Sequence, residues 1–148
     1  MRDEAIDLAK GVCRLFEGLR LRPYLCPAGI PSIGYGTTRY ENGQAVQLTD
    51  PPITAERADE LLDFDMRTKF IPAVAVLCPG VRADGLNAAL LDFTYNLGPT
   101  NLRNSTLRRR VNERDFEGAK AEFMKWVRGG GRVLPGLVRR RKAECDLF

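Results

Sequence analysis

The sequence predicts an α+β fold, a small antiparallel sheet inserted in an otherwise helical chain. Three observations predict it. Apolar residues keep helical spacing up to Phe16, a stretch over 20–48 is broken by Gly and Pro into short extended pieces, and helical periodicity returns after Pro51-Pro52. At 148 residues the chain fits one domain, 1–148, able to bury about two-thirds of the surface that its unfolded form exposes.

In the first segment Ile6, Leu8, Ala9, Val12, Cys13, Leu15 and Phe16 recur every three to four positions, with acids early, where the helix dipole favours them. Gly18 is expected to stop this helix, leaving Glu17 at its C-terminal end. Residues 20–48, punctuated by Pro23, Pro27, Gly29, Pro31, Gly34, Gly36 and Gly43, read as two or three short strands that must pack on helices to persist. Thr54 is expected to cap a helix running TAERADELLDFDMRTKFIPAVAVL. Its apolar stripe is Leu61, Leu62, Phe64, Phe70, Val74 and Leu77, and Pro72 kinks or divides it. From about Asp84 onward, helical patterns alternate with breaks at Gly98-Pro99, Asn112 and Gly129-Gly130-Gly131.

Composition narrows the function classes. With 44% hydrophobic and 28% charged residues, the chain matches neither a disordered nor a membrane protein. The N-terminal segment lacks the unbroken apolar run of a signal peptide or membrane anchor, so a soluble chain without stable membrane insertion is expected. A net charge of +4 favours an anionic partner: nucleic acid, an acidic wall polymer or an anionic membrane surface. The clusters Arg108-Arg109-Arg110 and Arg139 to Lys142 read as solvated helix faces, and no aromatic interleaving marks them as a nucleic-acid site. There is no histidine, which excludes Ser-His-Asp and Cys-His chemistry. Cys13, Cys26, Cys78 and Cys145 show no zinc spacing, so no metal and no cofactor is expected. Acid and base work then falls to carboxylates, thiols, hydroxyls or lysines.

The informative stretch is EGLRLRPYLCPAGIPSIGYGTT, from Glu17 to Thr38. Glu17, Cys26 and Ser32 lie on a helix end, a turn and a strand, so a hairpin folds the last two towards the first. The pattern E-G-x-R-x-x-x-Y, a polar residue, a turn and then I-G-x-G resembles the phage T4-type lysozyme family, which carries Glu, Asp and Thr at this spacing. Here Cys26 stands at the Asp position, as in some phage endolysins, and Ser32 at the Thr position, keeping the hydroxyl. ALLDFTYNLG (Ala89 to Gly98), NSTL (Asn104 to Leu107), Trp126 and VLPGLVRRRKAE (Val133 to Glu144) are similar to the helical lobe of such endolysins.

The resemblance implies a lysozyme-like fold, with a sheet lobe over about 18–52, a helical lobe formed by 1–17 and 53–148, and a cleft between them. It implies a monomeric muramidase that cuts the beta-1,4 bonds between N-acetylmuramic acid and N-acetylglucosamine in bacterial peptidoglycan. Such an enzyme is held in the host cytoplasm until it is released to the wall. It also implies Glu17, Cys26 and Ser32 as catalytic residues and Thr38, Tyr95, Asn96 and Ser105 as substrate-binding ones. A cleft-facing arginine near the acid is implied too, which no feature of the sequence identifies.

The chemistry suits these residues. Glycoside cleavage needs a proton for the leaving oxygen and a nucleophile at the opposite face of the sugar. A carboxyl at a helix C-terminus, beside Phe16, is disfavoured as an anion and so suits the donor's part. An ordinary thiol, with a pKa of roughly 8.5, is a poor base unless a cation such as Arg20 or Arg22 acts on it. Cys26 either orients water with Ser32, giving inversion, or attacks covalently, giving retention. Ser32 also reads as a simple turn residue, Tyr95 as packing, and Trp126 as core. Cys13, Cys78 and Cys145 read as structural, with a Cys13 to Cys26 disulfide as an alternative for the first. A lytic transglycosylase would share Glu17 and differ in forming a 1,6-anhydro product.

Overall fold

A computed structural model describes residues 1–148. Helix α1 (Asp3–Glu17) opens with Asp3 and Glu4 in its first turn and buries Ala5, Ile6, Ala9, Lys10 and Cys13. Its buried stripe is narrower than the apolar pattern suggested, since Leu8 and Leu15 remain exposed. Gly18, at φ +73°, ends it as expected; an L side chain rarely adopts that backbone.

Strands β1 (Arg20–Leu25) and β2 (Pro31–Gly34) pair antiparallel, Tyr24 opposite Ser32 and Leu25 opposite Pro31, with a register shift between Arg20 and Tyr24. Beyond β2 the chain adds only isolated bridges, Ile33 with Thr37 and Arg39 with Ala45. So small a sheet holds its place through a separate apolar cluster of Ile33, Val46 and Leu61, the last contributed by α2 (Ala55–Asp65). Thr54 caps α2, its hydroxyl accepting from the Arg57 amide at 3.1 Å.

The long helix expected from Thr54 divides before Pro72 rather than at it. A π turn at Met66–Phe70 separates α2 from α3 (Ile71–Leu77), and the Ile71 amide reaches back five residues to the Met66 carbonyl. The wider turn leaves Pro72 in the first turn of α3, where its missing N–H breaks no bond.

Helix α4 (Asp84–Leu97) is the core of the helical part, buried without a break from Leu86 to Thr94. A helix covered on all sides is hydrophobic on all sides, which is why ALLDF shows no amphipathic period. Phe93 meets Phe123 and Trp126 edge-on, with centroids at 5.5 and 5.3 Å, so Trp126 belongs to the core. Around α4 pack α5 (Pro99–Arg103), α6 (Thr106–Asn112), α7 (Phe116–Phe123) and α8 (Pro135–Cys145). The glycine break at 129–131 is a tight hairpin of β3 (Arg128–Gly129) and β4 (Arg132–Val133). No helix is long and apolar enough to cross a membrane.

One expectation is corrected. The run from Arg139 to Lys142 is not a solvated face, for Arg140 is 3% and Arg141 0% exposed. Each meets a buried acid, Arg140 with Asp92 at 2.8 Å and Arg141 with Glu144 at 2.7 Å; Arg140 holds Asp92 below its ordinary pKa, whereas burial pushes the Glu144 carboxyl up. Arg141 also stacks its guanidinium over Phe93, 5.3 Å from the ring centroid.

Candidate active site

The carboxylate of Glu17, at the end of α1, accepts a hydrogen bond from Arg140 Nη1 at 2.6 Å. Arg140 is held from behind. Its Nε and Nη2 donate to the two oxygens of Asp92, both at 2.8 Å, and Cys13 Sγ donates to Asp92 Oδ1 at 3.0 Å. Three helices therefore converge on the acid: α1 with Glu17 and Cys13, α4 with Asp92 and α8 with Arg140.

Across from this wall the β1–β2 hairpin brings up its own groups. A cleft of about 410 Å³ is lined by Glu17, Cys26, Ser32, Thr38, Tyr95 and Asn96. Six of the seven expected residues thus share one cleft. Ser105 does not; it caps α6, accepting from the Arg108 amide at 3.0 Å and donating to the Leu102 carbonyl at 2.7 Å, and it borders a separate basic groove. The NSTL stretch that suggested it is a helix start. A second opening of about 780 Å³, walled by Leu15, Phe16, Leu134, Leu137 and Arg140, shares Glu17 and Asn96 with the cleft, so the acid stands where two hollows meet.

Cys26 lies in the turn between the strands, its amide bonded to the Ile30 carbonyl at 3.0 Å and its carbonyl to the Gly29 amide at 2.8 Å. The amide of Ile30 above all, then those of Ala28 and Gly29 with the Ser32 hydroxyl, holds the thiol below its ordinary pKa against the opposing effect of desolvation. The cause is not the cation expected from the sequence, Arg20 or Arg22, but a concave set of backbone N–H groups. Ser32 is 1% exposed and donates to the Ile30 carbonyl at 3.0 Å, so its single proton is divided between closing the turn and serving the sulfur.

Tyr95 lines the cleft with its ring, but its hydroxyl is committed, donating to the Tyr35 carbonyl at 2.6 Å. The next residue, Gly36, has φ +96°, and a Cβ there would lie 3.6 Å from the Tyr95 hydroxyl and 3.9 Å from Glu17 Oε2. Glycine is required there by the backbone conformation, since a Cβ would make only ordinary contacts with both groups. Asn96 accepts from Arg141 Nη2 at 2.9 Å. Asp65 and Lys69, also in the cleft wall, pair with each other at 2.5 Å.

All four cysteines are free thiols, and Cys13 is buried against Asp92, so no Cys13 to Cys26 disulfide is present. Burial pushes Cys78 and Cys145 up to about 11. Arg140 and Asp92 were missed as site residues. Their only trace in the sequence is a lone acid inside the apolar run ALLDF, which demands a buried cation somewhere in the chain.

The phage lysozyme family model matches residues 14–144. The endolysin of Acyrthosiphon pisum secondary endosymbiont phage 1 is 37% identical over 140 residues, which cover 90% of this chain and 89% of that protein. Among solved structures, the endolysin from Escherichia coli O157:H7 phage FAHEc1 superposes with a TM-score of 0.84 at 34% identity, over 95% of this chain and 89% of that one. The muramidase domain of SpmX from Asticaccaulis excentricus superposes at 0.80 with 31% identity, over 100% and 95%.

Proposed function

The chain belongs to the phage lysozyme family and is a glycoside hydrolase of peptidoglycan; from that premise we propose that Glu17 is its proton donor, with Cys26 and Ser32 acting at the opposite face of the sugar. What supports this reading is one observation: a single cleft lined by Glu17 on one side and by the Cys26 turn and Ser32 on the other.

The bond attacked is the beta-1,4 link that follows N-acetylmuramic acid. Glu17 protonates the leaving oxygen as the sugar flattens towards an oxocarbenium ion. Arg140 keeps the carboxyl aimed, through a bond that leaves its other oxygen facing Gly36 and the cleft. A water placed between the Cys26 sulfur and the Ser32 oxygen attacks the anomeric carbon. Cys26, held towards its thiolate by the turn amides, takes up the proton of that water. Thr38, Asn96 and the Tyr95 ring contact the glycan. In this reading the enzyme is a monomer of one domain with a sheet lobe at 18–52, needs no metal or cofactor, binds no nucleic acid, and reaches the wall after release from the host cytoplasm.

The test is Glu17→Gln in a turbidity assay on purified peptidoglycan. The expected loss is at least about 100-fold, with thermal unfolding nearly unchanged because Arg140 keeps both bonds to Asp92. Retained clearing by the variant would remove Glu17 from the reaction. Product analysis completes it: an inverted anomer fits attack by water, a retained one makes Cys26 the nucleophile, and a 1,6-anhydro end assigns a transglycosylase.

A further inference from the structure

A proton donor whose oxygen lies 2.6 Å from a guanidinium faces the group that most favours losing its proton. A neighbouring arginine lowers a carboxyl by about 1–3 pH units in general. In this site that charge is already answered. Asp92 is fully buried and takes two of the three guanidinium nitrogens, leaving only Nη1 for Glu17. With Glu17 protonated, the trio of Asp92, Arg140 and Glu17 is neutral; with Glu17 ionised it carries one net negative charge inside the fold. Without Asp92 the balance reverses, and the ionised acid becomes the neutral arrangement.

We propose that Asp92 is a positioning residue for the catalytic acid. Its carboxylate cancels the charge of Arg140 where that charge meets Glu17, and it fixes the guanidinium so that Nη1 points at the Glu17 carboxyl. This rests on Glu17 being the donor.

The surroundings fit. Burial works against an ionised Asp92, but the hydrogen bonds and charge of Arg140 outweigh it and hold the carboxyl below its ordinary value. Of the other groups at Asp92, the Cys13 thiol and the Glu144 carboxyl are disfavoured as anions, and the cation Arg141 donates to Glu144 and Asn96. Burial first and Asp92 second push up both the Cys13 thiol and the Glu144 carboxyl. Facing Glu17 from other elements are Arg20 and Tyr24 of β1, Cys26 after it, Asp65 and Lys69 around the π turn, and Tyr95 of α4. Of these, Asp65 and Lys69 cancel each other, Arg20 lies over the Tyr24 ring, and burial keeps both tyrosines protonated. Arg139, on α8, is exposed and screened by solvent. Arg140 with Asp92 is therefore the charge that Glu17 touches.

The experiment compares pH–activity profiles of the full-length enzyme on purified peptidoglycan at constant ionic strength, for Asp92→Asn, Arg140→Gln and the double variant. In Asp92→Asn the alkaline limb moves to lower pH by about one unit or more, seen as at least about a tenfold loss on the alkaline side that acidification recovers. In Arg140→Gln the limb moves to higher pH, and in the double variant it returns close to the parent's position. A merely structural Asp92 lowers the whole profile and moves no limb, and unmoved limbs overturn the proposal. Should Asp92→Asn fail to fold because it strands a buried guanidinium, the upward shift in Arg140→Gln and its cancellation in the double variant decide. An active Glu17→Gln would sink the functional reading itself, whereas an inactive one with unmoved limbs sinks only the role of Asp92.

Discussion

The hydroxyl of Tyr95 makes a prediction of one atom. In Tyr95→Phe the ring keeps its place against Phe70, 5.1 Å between centroids, so packing is preserved and only the 2.6 Å bond to the Tyr35 carbonyl is lost. The stranded carbonyl is half-buried. Leaving such an acceptor without its donor costs about 1–2 kcal/mol. At about 2–4 °C per kcal/mol for a chain of this size, the melting temperature should fall by about 2–8 °C. Tyr95→Ala removes the ring as well, and its cost should rise to about 3–5 kcal/mol. Because the bond secures the turn holding Gly36 beside Glu17, kcat should fall several-fold while KM changes little. Thermal unfolding by circular dichroism, run beside kinetics on a soluble glycan, reads both. An unchanged melting temperature with a strongly raised KM would refute the reasoning and give the hydroxyl to the sugar.

Two further outcomes follow from the same structure. Iodoacetamide at neutral pH should label Cys26 ahead of the other three, whose thiols burial pushes upward, and clearing activity should fall in step with labelling. Peptide mass spectrometry reads the site, and full activity in the labelled protein would exclude Cys26 from the reaction. Acid stability should depend on Asp59 and Asp63, which burial raises but the bonds from Arg14 or Arg67 and from Lys10 bring below the ordinary value. A depressed folded value adds stability above the unfolded one, about pH 4, and loses it as pH falls through the folded value. Lys10→Met should therefore flatten the loss of melting temperature on acidification, and an identical slope would put the acid-labile groups elsewhere.

How far the sequence could be read depended on whether the signal was local. Glu17 at a helix end needed only the amphipathic period and Gly18, and Thr54 needed only the helix that follows it. The hairpin that brings Cys26 and Ser32 opposite the acid was legible for the same reason, since turn residues lie close together in the chain. The π turn was not, because no residue in MRTKF marks a widened turn in a run that reads as continuous helix. Arg140 was least legible of all. In a run of four basic residues nothing marks the one whose partners, Glu17 and Asp92, lie on α1 and α4, and expecting solvation for all four misread two of them. The resemblance supplied the need for an arginine, and only the folded chain says which.

Glu17 and the arginine that grips it are 123 residues apart, one on α1 and the other on α8. A nascent chain emerging from the ribosome holds its acid long before it holds the helix that tethers it. The grip on the acid is thus a contact that forms only once α8 has been made, and a product cut short ahead of α8 lacks the arginine that aims its acid.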